Sequence, residues 1–289
     1  MNLLTVHCAN MSPPINTPEP ANPRRSGRGA VNILLDNCEA RARSLLTIDE
    51  LAHSSGLSLV AVRRQMEHLA HRHARIQGKP AAYLLVPPEH RPFGAPPVKW
   101  WLDAYCRLRN QPYYLGLLSA AEMHGSSHQA VQVTQVLTAR PMRQITVGML
   151  RVKFLVKKNL QQTPVMQLPE QRARFAVSTP EATAIDLIAY YHAIGGVARA
   201  AEVVAGMRSS ITVRGLRTAL KAEPESAVKQ RLGYVFQTLG WEAMAAEVQR
   251  QLARKLAPAI LQPRAATRQG SIALPWNVID NIDLKSHLK

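Results

Sequence analysis

Beyond a proline-rich start, apolar and polar positions in the first third of the chain follow helical spacing. Val31, Leu34, Leu35 and Cys38 share one face of a helix predicted over about 30–43. Thr47-Ile48-Asp49-Glu50 then forms a capping box: the Thr47 side chain accepts from the backbone N–H three residues on, and Glu50 reaches back. The helix it opens turns Ile48, Leu51 and Ala52 inward and ends at Ser55-Gly56, where glycine supplies a tight turn. Ser58 caps a third helix over about 59–71, with Val62, Met66 and Leu69 as its core stripe. Opposite that stripe lie Arg64, His68 and His71, with Arg63 and Gln65 on the flanks. Two short strands follow, 74–76 and 81–86, joined by Gln77-Gly78-Lys79-Pro80.

Helix, capped helix, glycine turn, arginine-bearing helix and hairpin make the order of a winged helix-turn-helix over residues 28–90. In that fold the third helix enters the major groove, where Arg and Gln side chains reach base edges. Ser58, Arg63, Arg64, Gln65 and His68 are the candidate contacts on the helix. Arg75 and Lys79 on the hairpin are placed for backbone phosphate or the minor groove. The plainer alternative is a three-helix protein-interaction module with a solvated basic face.

Residues 91–97, rich in proline, read as a stiff linker, and a second, larger domain spans 98–289. Within it, 112–123 is predicted as a mostly apolar helix, 129–138 as a strand, and 145–156 as a hairpin turning near Gly148. Leu150, Val152, Phe154 and Val156 occupy one face of its second arm. Phe175 and Val177 mark another strand. Ser178-Thr179-Pro180-Glu181 combines a cap, a first-turn proline and a carboxylate at the positive helix end, so a helix runs from there to about Ile194. Further helices are expected over about 198–207, 213–222, 226–239 and 241–256, with a short strand in the last stretch from Ser271. The fold class is therefore α+β: a winged helix followed by a mixed domain with a small sheet and a helical second half.

Charge sharpens this picture. The 289 residues carry 36 Lys+Arg against 19 Asp+Glu, a net +17, which favours a polyanionic partner. Residues 1–98 contribute 11 basic and 7 acidic side chains, a net of +4, and residues 99–289 contribute 25 and 12, a net of +13. The larger domain is thus also expected to meet phosphate. Cys8, Cys38 and Cys106, odd in number and far apart, fit a reducing cytoplasm and not a disulfide framework or zinc module. The first ten residues lack the basic start of a signal peptide, and no apolar run reaches spanning length. Residues 1–27 read as a disordered leader. Arg24, Arg25 and Arg28 at its end are solvated tail charge or, alternatively, a minor-groove arm.

Tyr83-Leu84-Leu85-Val86-Pro87, Tyr113-Tyr114-Leu115-Gly116-Leu117-Leu118-Ser119-Ala120-Ala121, Ser178-Thr179-Pro180-Glu181-Ala182-Thr183-Ala184-Ile185-Asp186-Leu187 and Gln230-Arg231-Leu232-Gly233-Tyr234 follow one another in an order that resembles the AbiEi antitoxins. The chain departs from that pattern at His71–Arg75, where the family has a glycine. The resemblance implies an antitoxin of a type IV toxin–antitoxin system that represses its own operon from inverted repeats in double-stranded DNA. It also implies a nucleotidyltransferase toxin that is countered without a stable complex. One helix-turn-helix per chain on an inverted repeat requires two copies, as a preformed homodimer or as cooperatively binding monomers.

Other chemistry finds less support in the residues. His68, His71 and His73 lack a Cys or carboxylate to complete a metal set, so no metal or other cofactor is expected. As solvated or phosphate-facing groups they would raise DNA affinity as pH falls. His124 and His128 flank a loop that reads as an ordinary helix end. Glu181 reads as a capping residue, and Asp186 as an acid bonded to backbone or an arginine. Phosphate-loop, nucleophile-elbow and zincin motifs are missing, which argues against an enzyme. A basic run with Arg140, Arg143, Arg151, Lys153, Lys157, Lys158, Arg172 and Arg174 against Glu170 alone is either a solvated sheet face or a second surface for DNA or RNA. Two further readings stay open: a stand-alone regulator whose second domain senses something else, and an RNA- or protein-binding adaptor.

Overall fold

A computed structural model describes residues 29–126, 132–170 and 173–288. Its N-terminal unit contains α1 (Ala30–Ala40), β1 (Leu45–Thr47), α2 (Ile48–Ser55), α3 (Leu59–His68), β2 (His73–Ile76) and β3 (Ala82–Leu85). The strands pair antiparallel in the order β1-β3-β2. Local chemistry sets the boundaries. The Thr47 side chain accepts from Glu50 N–H while Glu50 accepts from Thr47 N–H, Gly56 ends α2 in the left-handed conformation, and Ser58 caps α3. The third helix stops at His68 and continues as a 3-10 turn over Ala70–Arg72, three residues short of its expected length. Arg72 accounts for that: it is buried and binds Asn32, Asp36 and Glu39 of α1.

Period-two alternation splits the small sheet between two cores. Leu46 and Leu85 pack with Val31, Leu35, Ile48, Leu51, Val62 and Met66 under the helices. Leu45, Ile76, Ala82 and Leu84 face the other way, onto α4 (Val98–Leu108), a helix the sequence reading did not anticipate. Trp101, Leu102 and Tyr105 of α4 bridge from those residues to the main sheet, meeting Phe175 and Val177. The proline-rich connection ahead of α4 is packed: Ala95 is buried, and the Trp101 indole donates to the Pro96 carbonyl at 3.1 Å.

The main sheet has six strands: β4 (Tyr113–Leu115), β5 (Thr134–Thr138), β6 (Ile145–Val147), β7 (Leu150–Val156), β8 (Val165–Pro169) and β9 (Arg174–Ser178). They lie in the order β6-β7-β5-β4-β9-β8, with β5–β7 and β4–β9 parallel. Helices α5 (Leu117–Met123), α6 (Pro180–Ala189), α7 (Val197–Gly206), α8 (Val213–Lys221), α9 (Ser226–Thr238) and α10 (Glu242–Arg250) build the large core on its second face. A third sheet of β10 (Ala259–Ile260), β11 (Ser271–Ala273) and β12 (Val278–Asp280), then α11 (Leu284–His287), closes the chain. The result is a mixed α+β protein with several sheets.

Several expectations need correction. The apolar stretch 112–123 is strand β4 followed by helix α5, because two tyrosines and a leucine pair between β5 and β9 before the chain turns at Leu117, whose φ is positive. The strand expected from Gln129 begins at Thr134, and 127–131 lie outside the described residues. The helix opened at Thr179 ends at Ala189 and becomes a 3-10 turn, and the last long helix ends at Arg250.

Candidate nucleic-acid interface

The core stripe of α3 dictates what the helix shows to solvent. With Val62 and Met66 buried, Arg63, Arg64 and His68 are exposed, and so is the capping Ser58. Leu57, Ser58, Val60, Ala61, Arg64 and His68 line an open groove of about 800 Å³. Leu59 and Val60 are exposed at the start of the helix, an apolar surface beside the cations. Arg75 on β2 and Lys79 at the hairpin turn are exposed as well. No carboxylate among the described residues pairs with Arg63, Arg64, His68, Arg75 or Lys79. The unpaired arginines and lysine on these adjoining elements keep their full field for an external anion.

Gln65, on the flank of α3, lines the same groove and also has a structural task. It is half-buried, and its side-chain oxygen accepts from the Val31 N–H at 3.1 Å, tying α3 to the start of α1. His73 departs from its expected place. Its Nε2 donates to the Met66 carbonyl at 2.8 Å, and burial holds the imidazole below its usual pKa, so it serves the fold and not a phosphate. His71 remains exposed. Among the described residues, no group of three or more His, Cys, Asp or Glu could hold a metal ion.

Of the second basic set, Arg140, Arg143, Arg151, Lys153 and Lys158 are exposed, and Arg172 lies outside the described residues. Lys157 is a correction. Alternation stops with β7 at Val156, and the next side chain turns into the core, where its ammonium meets Asp186 Oδ1 at 2.5 Å. The Tyr114 hydroxyl donates to Asp186 Oδ2 at 2.8 Å, and Lys157 Nζ lies 5.9 Å from the centre of that ring. Burial pushes the Asp186 carboxyl up, against the pull of Lys157 and the Tyr114 hydroxyl. An acid inside an apolar helix signalled a buried partner; it is this lysine, and not backbone or an arginine.

Glu181 bonds more widely than helix capping requires. Its Oε1 accepts from both the Thr212 N–H and hydroxyl, at 2.8 and 2.9 Å, fastening α6 to the start of α8. His124 is buried, donates from Nε2 to the Ser178 carbonyl at 2.7 Å, and is held below its usual pKa by burial. His128, its expected neighbour, lies outside the described residues. Farther along, Tyr234 donates to Asp280 and Gln230 donates to the Ala257 and Trp276 carbonyls. The motif residues therefore form buried polar ties between elements. No helix among the described residues is long and apolar enough to cross a membrane.

The AbiEi antitoxin C-terminal domain family matches residues 114–238. That segment, which holds Tyr114, Asp186 and Gln230–Tyr234, is an AbiEi antitoxin C-terminal domain, and the resemblance read from the sequence holds. The match supports an antitoxin of a toxin–antitoxin system, and the family is not one of enzymes. No curated protein matches the chain. In fold, the chain is similar to the crystal structure of the RV2827C protein from Mycobacterium tuberculosis. The TM-score is 0.61 at 14% identity, over 90% of this chain and 93% of that one.

Proposed function

We propose that residues 28–90 are a winged helix-turn-helix domain that reads double-stranded DNA through α3 and steadies it with the β2–β3 hairpin. The connection 91–97 joins it to an antitoxin domain over 98–289. The protein acts in the cytoplasm as the autorepressor and antitoxin of a type IV system, binding inverted repeats upstream of its own operon as two copies. It counters a nucleotidyltransferase toxin encoded alongside without holding it in a stable complex.

The observation that carries the DNA reading is the pair of unpaired cations Arg63 and Arg64, with His68 beside them, on the exposed face of α3, next to Arg75 and Lys79 on the hairpin. Val60, 72% exposed at the groove end of α3, adds a surface suited to a thymine methyl group. The excess of 17 positive charges supplies the attraction such a protein needs. The antitoxin reading rests on the family match. A reporter driven by the chain's own upstream DNA tests it: wild type lowers reporter output and Arg64→Ala does not. Equal repression by both proteins would end the assignment of α3 as the reading helix.

One cavity favours a second reading, a regulator whose larger domain senses a small ligand. It measures about 580 Å³ between α4 and the main sheet and is lined by Val98, Trp100, Leu115 and Leu150. Loss of DNA affinity on adding a metabolite extract, abolished by filling the cavity with Ser119→Phe, would favour that reading.

A further inference from the structure

Two arginines line a groove where the hairpin touches the larger domain, and a third, Arg109, lies against the hairpin turn beside it. Arg75 of β2 and Arg143, just ahead of β6, line a groove of about 360 Å³ together with Gln77, Gly78, Tyr105 and Thr146. Arg109 follows α4, and its guanidinium lies over the Tyr105 ring at 5.0 Å. Its Nη2 is buried without a hydrogen-bond partner. That nitrogen lies 2.5 Å from where a Cβ on Gly78 would sit, so glycine leaves the room that brings the guanidinium against the hairpin turn. No carboxylate among the described residues pairs with any of the three.

Like charges without counter-charges repel one another across such a groove, and a buried N–H without an acceptor has lost its hydration with nothing in return. An anion with several oxygens relieves both costs at once, because guanidinium groups present forked donors that match phosphate. Polar walls and a half-open mouth suit a phosphate that stays attached to a larger molecule.

We propose that this groove is a phosphate site in which Arg75, Arg109 and Arg143 clamp a backbone phosphate of duplex DNA between the hairpin and the larger domain. The inference rests on the winged-helix reading and extends it. It adds Arg109 to the binding residues and makes the hairpin and the basic edge at Arg143 one continuous surface. The site carries no base readout, so it strengthens binding to every sequence alike.

The test titrates full-length wild type, the double variant R75A/R143A, the single variant Arg109→Gln and the control Arg254→Ala. Fluorescence anisotropy is read on labelled upstream duplex and random duplex over a range of salt, with calorimetric titration of inorganic pyrophosphate in parallel. Circular dichroism melting checks that each variant is folded. The double variant touches only exposed side chains, so it tests the site even if Arg109→Gln lowers stability. The expected result is weaker binding of the double variant to both duplexes, with the log–log salt slope shallower by roughly 0.9 for each phosphate that is no longer neutralised. Arg254→Ala keeps the wild-type slope. An unchanged slope in a folded double variant that still prefers the upstream duplex would overturn the phosphate clamp and leave the DNA reading standing. If wild type binds neither duplex but binds pyrophosphate, and the double variant does not, the groove is a phosphate site for a small ligand and the DNA reading fails. Binding of neither overturns both.

Discussion

Lys157 Nζ and Asp186 Oδ1 lie 2.5 Å apart inside the core, joining the end of β7 to the middle of α6, and the Tyr114 hydroxyl completes the contact from β4. Three separated segments thus converge on one carboxylate that has no access to solvent. Two of them, at Tyr114 and Asp186, lie in the segment that matches the AbiEi antitoxin C-terminal domain. The conjunction explains why an acid sits in a helix whose other residues from Glu181 to Ile188 are buried among apolar neighbours.

Removing one partner strands a buried charge. Lys157→Met is expected to lower the unfolding free energy by about 3–5 kcal/mol, whereas replacing both charges in the double variant K157M/D186L recovers much of that loss. Urea unfolding of wild type, K157M, D186L and the double variant measures it. An additive pattern would show that the two side chains do not depend on each other.

The exposed and half-buried residues of α3 divide by task. Arg64→Ala is expected to cost about 1–3 kcal/mol of discrimination between upstream and random duplex with no loss of melting temperature. Gln65→Ala acts the other way, lowering stability by about 1 kcal/mol because the Val31 N–H loses its acceptor. Paired melts and binding titrations separate the two effects.

Acid should destabilise the fold through His73 and His124. Burial holds both below the ordinary value of 6.5, so in that range the unfolded chain binds more protons than the folded one. Their contribution is complete above pH 6.5 and is lost as pH falls through the lower folded values. Melting temperatures measured from pH 7.5 down to 5 should fall, and His124→Asn should flatten that fall. A melting temperature unaffected by pH across this interval would contradict the burial argument.

Much of the N-terminal unit was legible because its signals are local. Thr47 and Glu50, Gly56 and Ser58 act within four residues of one another, and the Val62–Met66 stripe repeats at one helical turn. Thr179-Pro180 opened α6 for the same reason. What escaped was decided at a distance. Tyr113–Leu115 is too short an apolar run to declare itself strand or helix, and its pairing with β5 and β9 decides it. Alternation along β7 placed Lys157 beside Arg151 and Lys153, but its partner is 29 residues away. The tie of Gln65 to the N–H of Val31 was hidden because nothing in its own helix reveals that partner. The groove shared by Arg75 and Arg143, with Arg109 beside it, required the hairpin and the larger domain to meet.

That meeting has its own consequence. Leu45, Ile76 and Leu84 bury against Trp101, Leu102 and Tyr105 of α4, so the N-terminal unit borrows part of its core from beyond residue 97. Each such side chain contributes about 1.5–3 kcal/mol when fully buried. A fragment of residues 28–108 is expected to unfold at distinctly higher urea than one of residues 28–90. Equal midpoints would show that α4 adds nothing to the smaller unit.

The central claim is that α3 reads DNA upstream of the chain's own gene. Its most direct test is a competition titration of the full-length protein on that DNA against random duplex at two salt concentrations, repeated with Arg64→Ala. The account predicts a preference for the upstream DNA that survives the higher salt and disappears in the variant. Equal, salt-labile binding of wild type to both duplexes would contradict it, leaving the positive charge as a generic attraction for polyanions.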